Sequence, residues 1–300
     1  MPTSLITGTS TGIGLETALH FARNGYRVFA GARKPEAVER HANIVPIRLD
    51  VDNDASVREG VAKVLREAGA IDVLVNNAGI GIAGAIEHVP LDRTRAMFET
   101  NFFGAVRMMQ SVLPSMRERR SGTIVNVTSI MGHITTGGHG FYAATKFALA
   151  AVSETLAIET RRLGIKVAII EPGVILTPIW GKAEALMPQN HDYQQAMARL
   201  MRWFNAQLDG GTLPDVVARA IHDAVQEGCV KVRYPVGPDA ELIAKTRDRM
   251  TSAEWAALLT EEDEAGFVAK AEAAFGADLL NPPSLNARLK KALNRETNVA

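Results

Sequence analysis

Apolar residues along this chain follow two rhythms. Short runs at Ser4–Thr7, Arg27–Ala32, Ile44–Asp50, Val73–Asn76, Thr123–Thr128 and Lys166–Glu171 are rich in apolar and β-branched residues, several of them without a break. A strand buried on both faces reads this way, because neither side of its pleat meets water. Longer stretches with helical character lie between them: Ile13–Asn24, Asp54–Ala68, Leu91–Arg119, Tyr142–Leu163 and Pro214–Glu227. Gly25 and Gly164 stand where helices commonly end in a left-handed residue. The alternation predicts an α/β fold, a doubly wound parallel sheet of seven strands with helices on both faces and the last strand at Lys231–Pro235.

Residues Val174–Thr212 break the rhythm with Pro, Trp, Met and Gln, and read as an insertion. The alternation stops near residue 238, which divides the chain into a domain of residues 1–237 and a helical extension of residues 238–300. Thr251 or Ser252 followed by Glu254 marks one capped helix there, and the polar, basic stretch Asn281–Ala300 reads as a mobile terminus.

Composition narrows the function. Thirty-three Lys and Arg balance thirty-three Asp and Glu, which disfavours nucleic acid as a partner, since phosphates call for a basic face. The single cysteine, Cys229, leaves no internal disulfide and no thiolate metal cluster, so no metal is expected and a reducing cytoplasm suits the chain. The first residues lack the positive, then apolar, pattern of a secretory signal. The longest stretch without Asp, Glu, Lys or Arg, Ser121–Thr145, is full of Gly, Thr, Ser, His and Asn, so no membrane span is expected from it.

The first strand runs into Gly8-Thr-Ser-Thr-Gly12-Ile-Gly14 just before the first helix. Glycines there let the backbone turn sharply and approach a pyrophosphate, whose charge a helix N-terminus stabilises; a tight turn that binds nothing is the bland alternative. In a Rossmann-like domain an acid about twenty residues on would hold the ribose 2′-hydroxyl of NAD. Here Arg33 stands nineteen residues after Gly14, with Lys34 beside it and no carboxylate before Glu36. A guanidinium can grip a 2′-phosphate, so the cofactor reads as NADP(H), with NAD(H) behind it. Asp50 can accept from an adenine amino group or cap the helix that begins near Asp54.

Further along, Asn76-Asn77-Ala78-Gly79, Ser129 and Glu171-Pro172-Gly173 end three strands, and so face the same crevice beyond the sheet. Tyr142 and Lys146 share a helix face one turn apart. A free phenol titrates near 10, and a neighbouring ammonium at Lys146 together with the positive nicotinamide ring of an oxidised cofactor would move it toward neutrality. These residues resemble the short-chain dehydrogenases/reductases of the non-extended branch over roughly residues 3–237. The motifs are Thr7-Gly8-x-x-x-Gly12-Ile13-Gly14, Asn76-Asn77-Ala78-Gly79, Asn101, Ser129, Tyr142-x-x-x-Lys146 and Pro172-Gly173-x-x-x-Thr177.

The resemblance implies Tyr142 as acid/base, Lys146 as a partner of the nicotinamide ribose, Ser129 as the substrate-orienting group and Asn101 as holder of a relay water. It implies a cofactor held by Gly8, Ser10, Thr11, Gly12, Ile13, Gly14, Arg33, Lys34, Asp50, Val51, Asn77, Ala78, Gly79, Pro172, Gly173, Val174 and Thr177, with Tyr142 and Lys146. Two departures stand out: Gly137, where many relatives carry Pro, and a C-terminus about fifty residues beyond the usual end. Neither is expected to touch the chemistry, but both bear on the substrate, Gly137 by loosening a substrate wall.

The insertion occupies the place of the family's substrate lid, and its Ile175, Leu176, Ile179, Trp180, Leu186, Met187, Tyr193, Met197, Leu200, Met201, Trp203 and Phe204 suit a small apolar carbonyl or alcohol substrate, although lid packing explains about half of them. His133 and His139 flank the serine loop and read as substrate-loop residues. The helix at Tyr142–Leu163 is apolar nearly all round, which predicts a homo-dimer or homo-tetramer. The function expected is NADP(H)-dependent carbonyl reduction. The alternatives are a cofactor-sensing protein without turnover and a nucleotide-sugar epimerase, whose loop spacing differs.

Overall fold

The computed structural model describes residues 1–187, 191–209 and 211–276, and the expected mobile stretch Asn281–Ala300 lies outside these. Seven parallel strands form one sheet: β1 (Thr3–Thr7), β2 (Arg27–Ala32), β3 (Ile44–Arg48), β4 (Val73–Asn76), β6 (Gly122–Val127), β7 (Ile165–Pro172) and β9 (Arg233–Val236). Their spatial order is β3-β2-β1-β4-β6-β7-β9, so the winding reverses between β1 and β4 and opens a crevice at their carboxyl ends. Two short strands absent from the sequence reading, β5 (Ile82–Gly84) and β8 (Glu184–Leu186), pair in parallel beside that crevice. The seventh strand lies two residues later than expected at its start and one later at its end.

Successive residues of each strand feed opposite faces. Ile6, Val28, Val75 and Val125 pack on one side with Ala18, Leu19 and Ala22 of α1 (Gly12–Arg23) and with Val217 and Ile221 of α7 (Pro214–Gln226). Leu5, Phe29, Leu74 and Ile124 pack on the other. They meet α2 (Asp54–Ala68), α4 (Gly104–Arg119) and α5 (Gly140–Thr160) through Val61, Met108, Met116 and Leu149. Burial on both faces is why these strands are nearly unbroken apolar runs. Gly25 and Gly164 do adopt left-handed backbone at φ 82° and 72°. By length and composition Gly140–Leu163 could cross a membrane, yet in this fold it lies against β6 and β7 and carries a buried lysine.

The segment Leu91–Arg119, expected as one helix, is α3 (Leu91–Phe98) and α4 joined by a π-helical turn at Glu99–Phe103. Such a wide turn inserts one residue into the spiral, and it carries Asn101. In the insertion, α6 (Gln194–Asp209) covers the crevice and buries Met197, Leu200 and Phe204.

The extension forms α8 (Pro238–Arg247), α9 (Ser252–Leu259) and α10 (Glu264–Phe275), and Thr251 with Glu254 makes the expected capping box on α9. It packs behind the crevice wall without lining the cleft itself. Ile243, Ala244 and Trp255 join one apolar cluster with Ile130, Met131 and Val174. Trp255 Nε1 donates to the Thr135 carbonyl at 2.8 Å, and Val174 N donates to the Asp239 carboxylate at 2.8 Å.

His133 adds an ionic tie. Its Nε2 lies 2.9 Å from Asp248 beyond α8, and its Nδ1 lies 3.6 Å from the fully buried Glu171 at the end of β7. Glu171, then Asp248, hold the imidazole above its ordinary pKa of 6.5 against the opposing effect of burial. The folded protein therefore keeps this proton to higher pH than the unfolded chain. The tie contributes fully below about pH 6.5 and is lost as pH rises through the raised value. Thermal melts should show stability falling across that window in the wild type and a flatter profile in His133→Gln; parallel profiles would remove the tie from the account.

Candidate active site

The crevice is a cleft of about 540 Å³ running from the glycine loop to the lid. Thr7 and Asn77 set its floor. Asn77 Nδ2 donates to the Thr7 and Gly8 carbonyls at 3.0 and 3.2 Å, while Thr7 Oγ1 accepts from the backbone of Asn77 and Ala78 at 3.0 and 3.1 Å. The two strand ends lie so close that a Cβ on Gly8 would fall 2.9 Å from Ala78 Cα, and a Cβ on Gly14, in the first turn of α1, would fall 2.3 Å from the Gly8 carbonyl oxygen. Gly8 and Gly12 sit at φ 71° and 62°, a region costly to any residue with a side chain. Thr11 precedes α1 without a side-chain cap, and no acidic residue sits in its first turn. The N–H groups of that turn and the helix dipole consequently have the character of an anion site.

Ser10, Thr11, Gly12 and Ile13 line this end, and Thr177, at the root of the lid, packs against Gly12 from across the cleft. Arg33 lines the cleft at the end of β2 and makes no hydrogen bond or ion pair among the described residues. Lys34, expected beside it, is exposed and turned out of the lining. Asp50 and Val51 line the wall beyond β3. The helix-cap alternative for Asp50 falls to Asn53, which accepts from Ser56 N at 2.9 Å, while Asp50 accepts from Asp52 N at 3.2 Å. Ala78 and Gly79 follow β4, and Pro172, Gly173 and Val174 follow β7. Gly173 has no room for a side chain, because a Cβ would meet Asp239 at 2.2 Å.

At the other end Ser129, Tyr142 and Lys146 converge. Ser129 caps the short turn Ile130–Gly132, accepting from Met131 N at 3.1 Å, and its hydroxyl pairs with the Tyr142 phenol. Lys146 is buried one helical turn beyond Tyr142; its ammonium donates to the Val127 carbonyl at 3.1 Å and lies 5.7 Å from the centre of the tyrosine ring. Burial pushes Lys146 down to about 8 and Tyr142 up to about 12. Removing a phenolate from water outweighs the help of Ser129 in the protein alone.

Asn101 does not line the cleft. Its amide clamps Ile80, accepting from N at 2.8 Å and donating to O at 3.0 Å, and donates also to Thr145 Oγ1 at 3.1 Å. Both amide hydrogens are spent, so the side chain shapes the turn after β4. His139 does line the cleft, whereas His133 does not. The lid supplies Ile179, Trp180, Met201, Trp203 and Phe204 to the lining, while Met187 points to solvent. Asp239 and Trp255, which brace this wall, were missed by sequence reasoning; the only local signal was an acid two residues after Gly237 at a helix start.

Residues 2–187 match the family model described as short chain dehydrogenase. A 3-ketodihydrosphingosine reductase from Bacteroides thetaiotaomicron is 37% identical over 246 residues, 81% of this chain and 91% of that one. A retinol dehydrogenase 8 from Bos taurus is 41% identical over 192 residues, 60% of this chain and 61% of that one. Among solved structures, a short-chain dehydrogenase from Streptomyces avermitilis superposes with a TM-score of 0.77 at 34% identity, covering 85% of this chain and 96% of that one. Other similar solved proteins hold NADP or NADH.

Proposed function

The chain belongs to the short chain dehydrogenase family, and on that premise we propose that it is an NADP(H)-dependent oxidoreductase interconverting a hydrophobic secondary alcohol and its carbonyl partner. The observation that carries the reading is the meeting of Ser129, Tyr142 and Lys146 at one end of a glycine-walled cleft. When bound, the cofactor supplies or takes a hydride at its nicotinamide ring. Gly8, Ser10, Thr11, Gly12 and Ile13 would hold its pyrophosphate at the start of α1, and Arg33 a 2′-phosphate. Asp50, Val51, Ala78, Gly79, Pro172, Gly173, Val174 and Thr177 would wall it in, with Asn77 and Gly14 holding the loop shape.

Ser129 and the Tyr142 hydroxyl bracket the position of a carbonyl oxygen, and Tyr142 delivers the proton to it. A phenol held near 12 is fully protonated at neutral pH and ready to donate. Keeping it as phenolate at pH 7, as alcohol oxidation requires, takes about 7 kcal/mol of stabilisation from neighbouring positive charge. Carbonyl reduction draws on the phenol in this protonated form. Lys146 lies close enough to supply part of that charge in the reverse direction. The aromatic lid and the names of the two curated relatives both support an apolar substrate.

A homo-oligomer accompanies this reading, supported by Phe147 and Ile158 exposed on α5 and Phe103 exposed on the π turn. Sedimentation at micromolar protein should give a dimer or tetramer, and a monomer would refute it.

NADPH oxidation over a panel of apolar ketones, retinals and quinones tests the whole reading. The wild type should turn over at least one; Tyr142→Phe should lose at least about a hundredfold in kcat, and Arg33→Asp should lose most of its preference for NADPH over NADH. Tight NADPH binding without oxidation of any carbonyl would favour the cofactor-sensing alternative.

A further inference from the structure

His139 is a half-buried histidine whose enclosed Nδ1 has no hydrogen-bond partner. It precedes α5 and stands three residues before Tyr142, and its ring stacks on the tyrosine ring at 4.9 Å with 28° between planes. The Phe204 ring meets it edge-on at 5.2 Å from the lid. Two glycines wedge it in place: a Cβ on Gly138, at φ 80°, would fall 2.2 Å from Met197 Sδ, and one on Gly137 would fall 2.7 Å from Ala196 Cβ. The departure at Gly137 thus lets α6 close down on this loop.

Neither ring nitrogen has a hydrogen-bond partner among the described residues, and Nδ1 is enclosed. Burial lowers the imidazole to about 4, so it is neutral at physiological pH, with one nitrogen bare and one protonated. Enclosing an N–H without an acceptor costs more than enclosing a lone pair, which assigns the proton to Nε2. The residue lines the cleft and its Nδ1 is enclosed, which leaves Nε2 as the nitrogen open to a ligand there. A lone donor in an aromatic wall, face to face with the tyrosine that handles the carbonyl, calls for an acceptor from the ligand.

We propose that His139 determines substrate specificity: its Nε2–H donates to an oxygen that the substrate carries on a carbon close to the reacting carbonyl, selecting apolar ketones with a neighbouring hydroxyl, ester or second carbonyl. This rests on the carbonyl-reducing reading of the cleft and narrows its substrate class. Tyr142 and Ser129 hold one oxygen, His139 the other, and the aromatic lid residues cover the chain between and beyond them.

The test uses a straight-chain alkyl ketone, its α-hydroxy derivative and the β-keto ester of equal chain length. Two readouts run side by side: kcat/KM with NADPH, and affinity from quenching of Trp180 and Trp203 fluorescence. The wild type should favour at least one oxygenated compound by about fivefold or more. His139→Phe, which keeps an aromatic ring on Tyr142 and removes both nitrogens, should bring the ratio close to one, and His139→Gln, which keeps a donor, should restore part of it. No preference in the wild type, or one that survives His139→Phe, overturns the proposal. Should none of the compounds turn over while the binding preference appears and is lost in His139→Phe, the carbonyl-reducing reading fails and the role of His139 stands.

Discussion

Everything in this site depends on how closely the ends of β1 and β4 approach at the point where the sheet reverses its winding. Asn77 and Thr7 lock the two ends with four hydrogen bonds between 3.0 and 3.2 Å. Glycine is required at Gly8, where an added carbon would fall 2.9 Å from Ala78 Cα, and at Gly14 of α1, where it would strike the Gly8 carbonyl. That approach presents the uncapped start of α1 to the cleft and also fixes the strand ends from which the remaining groups project. A cradle for a charged dinucleotide and a platform for the chemistry thus come from one constraint on backbone packing.

Burial then sets the electrostatics. The same enclosure that raises Tyr142 to about 12 lowers Lys146 to about 8, so the site rests with a neutral acid beside a cation that is only modestly held. Neither value follows from the pair alone, since isolated proximity would have moved the phenol downward. The Asn101 amide supports the arrangement from outside the cleft by fixing Ile80, and the π turn is what swings that amide inward.

Much of this was legible from residues. Strands buried on both faces announce themselves as apolar runs, and a glycine loop followed by Tyr142 and Lys146 at helical spacing implies one crevice at the strand ends. What escaped were contacts between distant parts of the chain. The π turn looks like ordinary helix because its apolar spacing shifts by one residue only. Asp239 reaches Val174 across sixty-five positions, and Asp248 reaches His133 across 115, so no local pattern reveals that the extension braces the cleft.

The central claim is that Tyr142 is an enclosed acid whose proton becomes labile only when positive charge arrives beside it. Phenolate absorbance against pH, taken as the difference between wild type and Tyr142→Phe, isolates this group from Tyr26, Tyr193 and Tyr234. The account predicts a titration near 12 in the protein alone and a fall of at least about two pH units when oxidised NADP is added, roughly 3 kcal/mol of differential stabilisation. A phenol that titrates near 10 in the protein alone, or one that oxidised cofactor does not move, would contradict it.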